Sequence, residues 1–204
     1  MSEQPLVSVC IPIHDMENGA FFLARLFTSL ARQTYKRYEI VVTKDGKMAE
    51  NTNSAMRKAK GDIIKILYMD DYFAHPEALS NMVVAFRVSG AKWSATGCEH
   101  DYGYGVANPH IPLWNDEIHT GKNTIGSPSV IALRNGLDMY FDENLSWLLD
   151  CDFYRRMKEK HGAPVLTPSI NIVIGVGAHQ TSAIMSDEEK KGEGEYIKQK
   201  YETN

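Results

Sequence analysis

The sequence predicts an α/β fold, one domain with a mostly parallel central sheet flanked by helices, and three observations carry that prediction. Continuous β-branched runs such as "LVSVCIPI" read as strands buried on both faces. Segments with apolar residues at helical spacing fall between those runs. Strands separated by helices imply parallel pairing through right-handed crossovers. At 204 residues the chain suffices for one domain with a sizeable core and is short for two.

The elements follow in order. Residues 6–13 form the first strand, closed by Pro12, and "MENGAFFLARLFTSLARQ" is a helix with Leu23, Leu26, Phe27, Leu30 and Ala31 on one face and Asp15 or Asn18 as its cap. "YEIVVT" (38–43) is a second strand ending at the turn "KDGK". The helix "AENTNSAMRKAKG" closes at Gly61, and "DIIKILYM" (62–69) is a third strand. Pro76 opens the helix "PEALSNMVVAFRVSG", which Gly90 stops, before the strand "AKWSATGC". From Glu99 to Asn123 the chain is rich in Gly, Asn, Pro and His and reads as a long irregular connection of functional or mobile character, with "GYG" at 103–105 a turn. Its His100, His110, Trp114 and His119 are rings able to stack on a ligand, to form a lid, or simply to pack the loop down. Regularity returns with the strand "PSVIALR", the helix "SWLLDCDFYRRMKEKHG" and the strand "SINIVIGVG". The expected domain covers 1–185, and 186–204 is a charged tail, an exposed helix or disordered.

Several function classes are excluded. A net charge of −4 without a basic run argues against nucleic acid. Cys10, Cys98 and Cys151 are odd in number and widely spaced, which suggests neither a disulfide framework nor a zinc site and fits the cytoplasm. No apolar run reaches the ~20 residues of an integral membrane segment, and "MSEQP" does not open a signal peptide. Neither GxxxxGK[ST] nor GxGxxG follows a strand, so P-loop and dinucleotide sites are not supported.

The chemistry starts at "KILYMDDYFAHPE", where an apolar strand runs into Asp70 and Asp71. Two adjacent carboxylates repel and resist desolvation unless a cation or partner sits there. His14 after the first strand and Asp45 after the second share this sheet edge, where open α/β sheets bind ligands. Carboxylates there suit Mn2+ or Mg2+ shared with a nucleoside diphosphate, the alternative being that one aspartate caps the next helix.

The run "VSVCIPIHDMENGAFFLARLFTSLARQTYKRYEIVVTKDG" and its continuation "NSAMRKAKGDIIKILYMDDYFAHPEAL" resemble the opening of family 2 glycosyltransferases. "FDENLSWLLDCDFYRRM" and "GAHQTSAIMS" resemble that family's later blocks. The chain departs from the usual pattern at His14, Lys44, Tyr68 and Leu149. The resemblance implies a GT-A, Rossmann-like domain with a mixed, mostly parallel sheet. It implies a metal-dependent, inverting transfer from a nucleotide-sugar, with a UDP-sugar the expected donor, to a carbohydrate, lipid-linked or protein acceptor. It also implies Asp150 as catalytic base, Asp71 and His179 at the metal, and Asp70 on the ribose or diphosphate. Pro12, His14, Glu17 and Asp45 are expected around the nucleotide; Lys44, Lys47 and Arg57 are candidates for diphosphate contact, with solvent exposure the preferred reading of each. From the residues alone Asp150 and Asp152 are also ordinary first-turn acids, Asp152 a partner for Arg155 or Arg156, Glu17 a helix-start acid, Asp45 a turn residue and His179 a loop histidine. A non-catalytic sugar-nucleotide-binding module and a nucleotidyltransferase are the alternative functions.

Overall fold

The computed structural model describes residues 4–202. The order is β1 (Val7–Pro12), α1 (Gly19–Ala31), β2 (Tyr38–Thr43), α2 (Met48–Lys58), β3 (Ile63–Ile66), β4 (Tyr72–Phe73), α3 (Ala78–Ser89), β5 (Trp93–Asp101), β6 (Val106–His110), β7 (Ile131–Arg134), α4 (Leu149–His161), β8 (Val165–Gly175), α5 (Thr181–Ile184) and α6 (Asp187–Glu202). Among the described residues the strands form one sheet in the order β2-β1-β3-β7-β5-β8-β4, with β6 added on β5. β2, β1, β3, β5 and β8 point one way and β7, β4 and β6 the other, so the sheet is mixed, as expected, with five of these eight strands sharing a direction but four of the seven pairings antiparallel.

Local chemistry accounts for most element boundaries. Every residue of β1 is buried, which is why its sequence is uninterrupted in apolar and small residues. α1 buries Leu26 and Leu30, yet neither expected cap serves it: Asn18 takes a left-handed conformation without a side-chain cap bond, and Asp15 pairs with Lys44 at 2.7 Å. Gly90 ends α3 at φ 68°, the role glycine fills at low cost. Gly61 does not close α2, which stops at Lys58. It is small because a Cβ there would stand 2.6 Å from the Leu6 carbonyl oxygen.

The connection from Glu99 to Asn123 is more ordered than its composition suggests. β5 continues to Asp101 and returns as β6 through the "GYG" turn, where the Tyr102 N–H donates to the Gly105 carbonyl at 3.1 Å. A second buried layer lies between sheet and α4: Trp93 stacks on Tyr154, and Phe141 on Phe153 at 4.2 Å. All three cysteines are free and buried, and burial pushes the Cys10 thiol up to about 12 and the Cys98 thiol up to about 11. Asp152 pairs with Arg156 at 2.7 Å.

Residues 187–202 form a helix with Ile197 buried and Lys200 paired to Asp142 at 2.6 Å and Asp152 at 2.8 Å. Among the described residues no helix is long and apolar enough to cross a membrane.

Candidate active site

A cleft of about 670 Å³ opens where β1 and β3 end, facing the start of α4 and the segment that follows β8. Pro12, His14, Asp70, Asp71, Asp150 and His179 all line it. Two of the expected residues do not. Glu17 is exposed on the turn before α1, and the Asp45 carboxylate turns to α2, accepting from Ser54 Oγ at 2.5 Å and Lys58 Nζ at 3.1 Å. Those bonds, Ser54 first, hold the Asp45 carboxyl below its ordinary value. Lys44 and Arg57 are likewise engaged, with Asp15 and Glu143, while Lys47 lines the cleft.

The adjacent aspartates avoid each other by pointing in different directions. β3 ends at Ile66, and the chain turns so that the Asp71 N–H donates to the Tyr68 carbonyl at 3.0 Å. Asp71 is buried and its Oδ1 accepts the Gly175 N–H at 2.9 Å. Burial, and then the charge of Asp70, hold its carboxyl well above the ordinary value, opposed by Ser129, Gly175 and Lys65. Lys65 is itself buried, pushed down to about 7 chiefly by that burial, and donates to the Ser129 and Ile131 carbonyls. Asp71 thus lines the cleft as a buried carboxylate with Oδ1 committed to the Gly175 N–H.

Asp70 is the outward one. Its Oδ2 lies 3.0 Å from His179 Nε2, and its carbonyl accepts Arg25 Nη2 at 2.6 Å. Phe22 backs the His179 ring at 5.1 Å between centroids, and Arg25 is pinned by Asp101 and lies 4.3 Å over the Tyr72 ring. β8 runs close behind: a Cβ at Gly175 would stand 2.5 Å from the Asp70 carbonyl oxygen. Gly175→Ala is expected to push the Asp70 turn outward, costing about 1–3 kcal/mol of stability as an overpacked site does and weakening any ligand held by Asp70. Denaturant unfolding and ligand titration of the variant check both effects.

Asp150, the second residue of α4, lines the same cleft. Its Oδ1 accepts the Cys151 N–H and its Oδ2 accepts Asn123 Nδ2, each at 2.7 Å. Asn123 is aimed by two further bonds, its Oδ1 accepting the Ile125 and Gly126 N–H groups at 3.0 and 2.9 Å. Burial pushes the Asp150 carboxyl up to about 6 against these donors. Sequence reasoning did not find Asn123, since nothing marks an asparagine inside a loop, nor Asn51, which ties the ends of β1 and β2 through the Ile13 carbonyl (2.9 Å) and the Asp45 N–H (3.0 Å).

Among the described residues no group of three or more His, Cys, Asp or Glu side chains is gathered to hold a metal. The Asp70–His179 pair supplies one carboxylate oxygen and one imidazole nitrogen at the cleft wall. That donor set fits a divalent cation whose remaining positions come from substrate phosphates and water.

No family model matches the chain. Over 67 residues it is 39% identical to an uncharacterized glycosyltransferase of Rickettsia prowazekii (strain Madrid E). Over 67 residues it is 33% identical to another of Rickettsia bellii (strain RML369-C). Each match covers 33% of this chain but only 20% and 9% of those proteins, so the chain spans a fifth or less of these curated relatives. Among solved structures, S. aureus TarS 1-349 in complex with UDP-GlcNAc superposes with a TM-score of 0.68 at 20% identity, covering 94% of this chain and 65% of that one. The mannosyltransferase PcManGT from Pyrobaculum calidifontis, in complex with GDP-Man and Mn2+, gives 0.62 at 14% identity, covering 89% and 59%. The fold is similar to that of GT-A glycosyltransferases. Both sequence relatives are glycosyltransferases by name, and one of these structural neighbours is a mannosyltransferase.

Proposed function

We propose that the chain is a glycosyltransferase catalytic core of the family 2 type, transferring a sugar from a nucleoside-diphosphate sugar, a UDP-sugar first among them, to an acceptor hydroxyl with inversion. The observation that carries this reading is that one cleft is lined by both the Asp70–His179 pair and Asp150. Pro12 and His14 line the part of the cleft where β1 ends and receive the nucleotide, with Lys47 adding positive charge. Asp70 and His179 would hold a Mn2+ or Mg2+ ion, a ligand role that passes from Asp71 to Asp70, while Asp71 braces the turn through Gly175. When bound, such an ion neutralises charge building on the diphosphate leaving group.

Asp150 takes the proton of the incoming alcohol at its free lone pairs, while Asn123 and the Cys151 N–H hold the carboxylate in one orientation. At about 6 its pKa leaves it mostly ionised at neutral pH and more basic than an ordinary aspartate, the compromise that general base catalysis favours. A base facing the anomeric carbon opposite the leaving group gives a single displacement. The acceptor is an alcohol of a carbohydrate, lipid-linked or protein molecule. Free thiols at all three cysteines suit the cytoplasm.

The test is release of nucleoside diphosphate from a panel of UDP-, GDP-, dTDP- and CDP-sugars with Mn2+. The expected result is turnover with one base, abolished by EDTA. Binding of a donor without turnover under any acceptor supports the binding-module reading instead, and pyrophosphate released from a nucleoside triphosphate supports a nucleotidyltransferase.

A further inference from the structure

We propose that Glu193 is a positioning residue for Asp150, and that α6 is a strap on the catalytic base. The inference rests on Asp150 being that base. The Glu193 carboxylate accepts three consecutive backbone N–H groups, Ser146 at 2.7 Å and Trp147 and Leu148 at 2.9 Å each. These residues lead directly into α4, of which Asp150 is the second residue, and all three line the cleft.

A helix start leaves N–H groups without intrahelical partners, and here the N-cap, Leu148, supplies no side-chain oxygen. Glu193, from an element 45 to 47 residues away, accepts the N–H of the N-cap itself and of the two residues before it, and its charge suits the positive end of the α4 dipole. One carboxylate on α6 thus gathers all three N–H groups of the turn that leads to Asp150. The strap is pinned at its far end as well: Lys200 joins Asp142 and Asp152, Tyr201 donates to Asp152 at 2.9 Å, and Ile197 is buried.

α6 owes its shape to this docking. Gly192 and Gly194 flank Glu193, and a Cβ at either would meet nothing within 4 Å. Packing does not require glycine there, and two glycines inside a helix lower its intrinsic stability. The helix is held by what it binds, and Glu193 is its contact with the 146–148 turn.

The test compares Glu193→Gln and Glu193→Ala with Tyr196→Phe in the full chain. Tyr196→Phe removes the 2.9 Å bond from α6 to Asp142 and the 3.5 Å bond from Asn144 Nδ2, and leaves the three Glu193 bonds to residues 146–148 in place. Both Glu193 variants are expected to lower kcat about 10- to 100-fold with donor KM unchanged, as a small misplacement of a reacting group does. Tyr196→Phe lowers the melting temperature and leaves kcat as it was. Unchanged kcat in Glu193→Ala, or a loss in Tyr196→Phe that follows its melting temperature equally, overturns the proposal. A readout independent of turnover is the carboxyl 13C titration of Asp150: in Glu193→Gln its midpoint falls, because Asp150 becomes the main anion facing the helix start. An unmoved midpoint also overturns the proposal. If wild-type protein turns over no donor, the transferase reading fails while this titration still tests whether Glu193 sets the environment of Asp150.

Discussion

Asp150→Asn is expected to reduce sugar transfer about 10²- to 10⁴-fold while donor binding persists, because only proton removal from the acceptor is lost. Asparagine keeps the size of the side chain and can still accept the Cys151 N–H. Its amide then faces Asn123 Nδ2, a donor against a donor, so the side chain is also less firmly aimed. The pH dependence follows from the same carboxyl. Transfer needs the ionised form, so with a midpoint at about 6 activity is flat above pH 7 and falls about tenfold per unit well below the midpoint. The stability effect has the opposite sense. A raised carboxyl binds its proton more tightly in the folded state, so burial of the charge costs stability that grows as pH climbs from the ordinary 3.8 to about 6. Asp150→Asn is expected to flatten the melting temperature over that interval, and a scan of both proteins between pH 4 and 7 checks it.

Asp70→Asn is expected to abolish the part of donor binding that depends on a divalent cation. Donor at 100 times its Kd stabilises the native protein by about 2.7 kcal/mol, roughly 5–10 °C in a domain of this size. EDTA should remove most of that shift in the wild type, and Asp70→Asn should remove it even with Mn2+ present. Asp71→Asn separates the two carboxylates. It disturbs a buried group bonded to Gly175, so the melting temperature changes without ligand while the cation-dependent shift survives. A shift lost in Asp71→Asn and kept in Asp70→Asn would return the ligand role to Asp71.

Much of the site was legible because strand ends carry it. Apolar runs marked β1 and β3, so His14 and Asp70 could be placed on one edge, and "DENLSWLLDCDF" marked the start of α4 with Asp150 in its first turn. What stayed hidden depends on contacts far along the chain. β3 is buried at every position and ends at Ile66, short of the expected residue 69, so no alternation carries through to Asp70 and Asp71 and it is β8, through Gly175, that takes Asp71. "VANPH" has the Asn and Pro of a loop, and pairs as β6 only because β5 presents a free edge beside it. α6 is charged and contains two glycines, which reads as a solvated tail; three N–H groups at the start of α4 and the buried Ile197 tie it down. Asp45 shows the converse, a carboxylate at the expected strand end that a neighbouring serine and lysine claim.

The pairing of β4 with β8 has a consequence for how the protein is made. Asp71 meets Gly175 across 104 residues, and His179 lies further on still. As translation proceeds, β1, α1, β2, α2 and β3 leave the ribosome early and depend mainly on one another. The acidic turn after them has Arg25 of α1 against it but lacks the Gly175 N–H and His179 until β8 and the segment after it emerge, so the cleft is completed late.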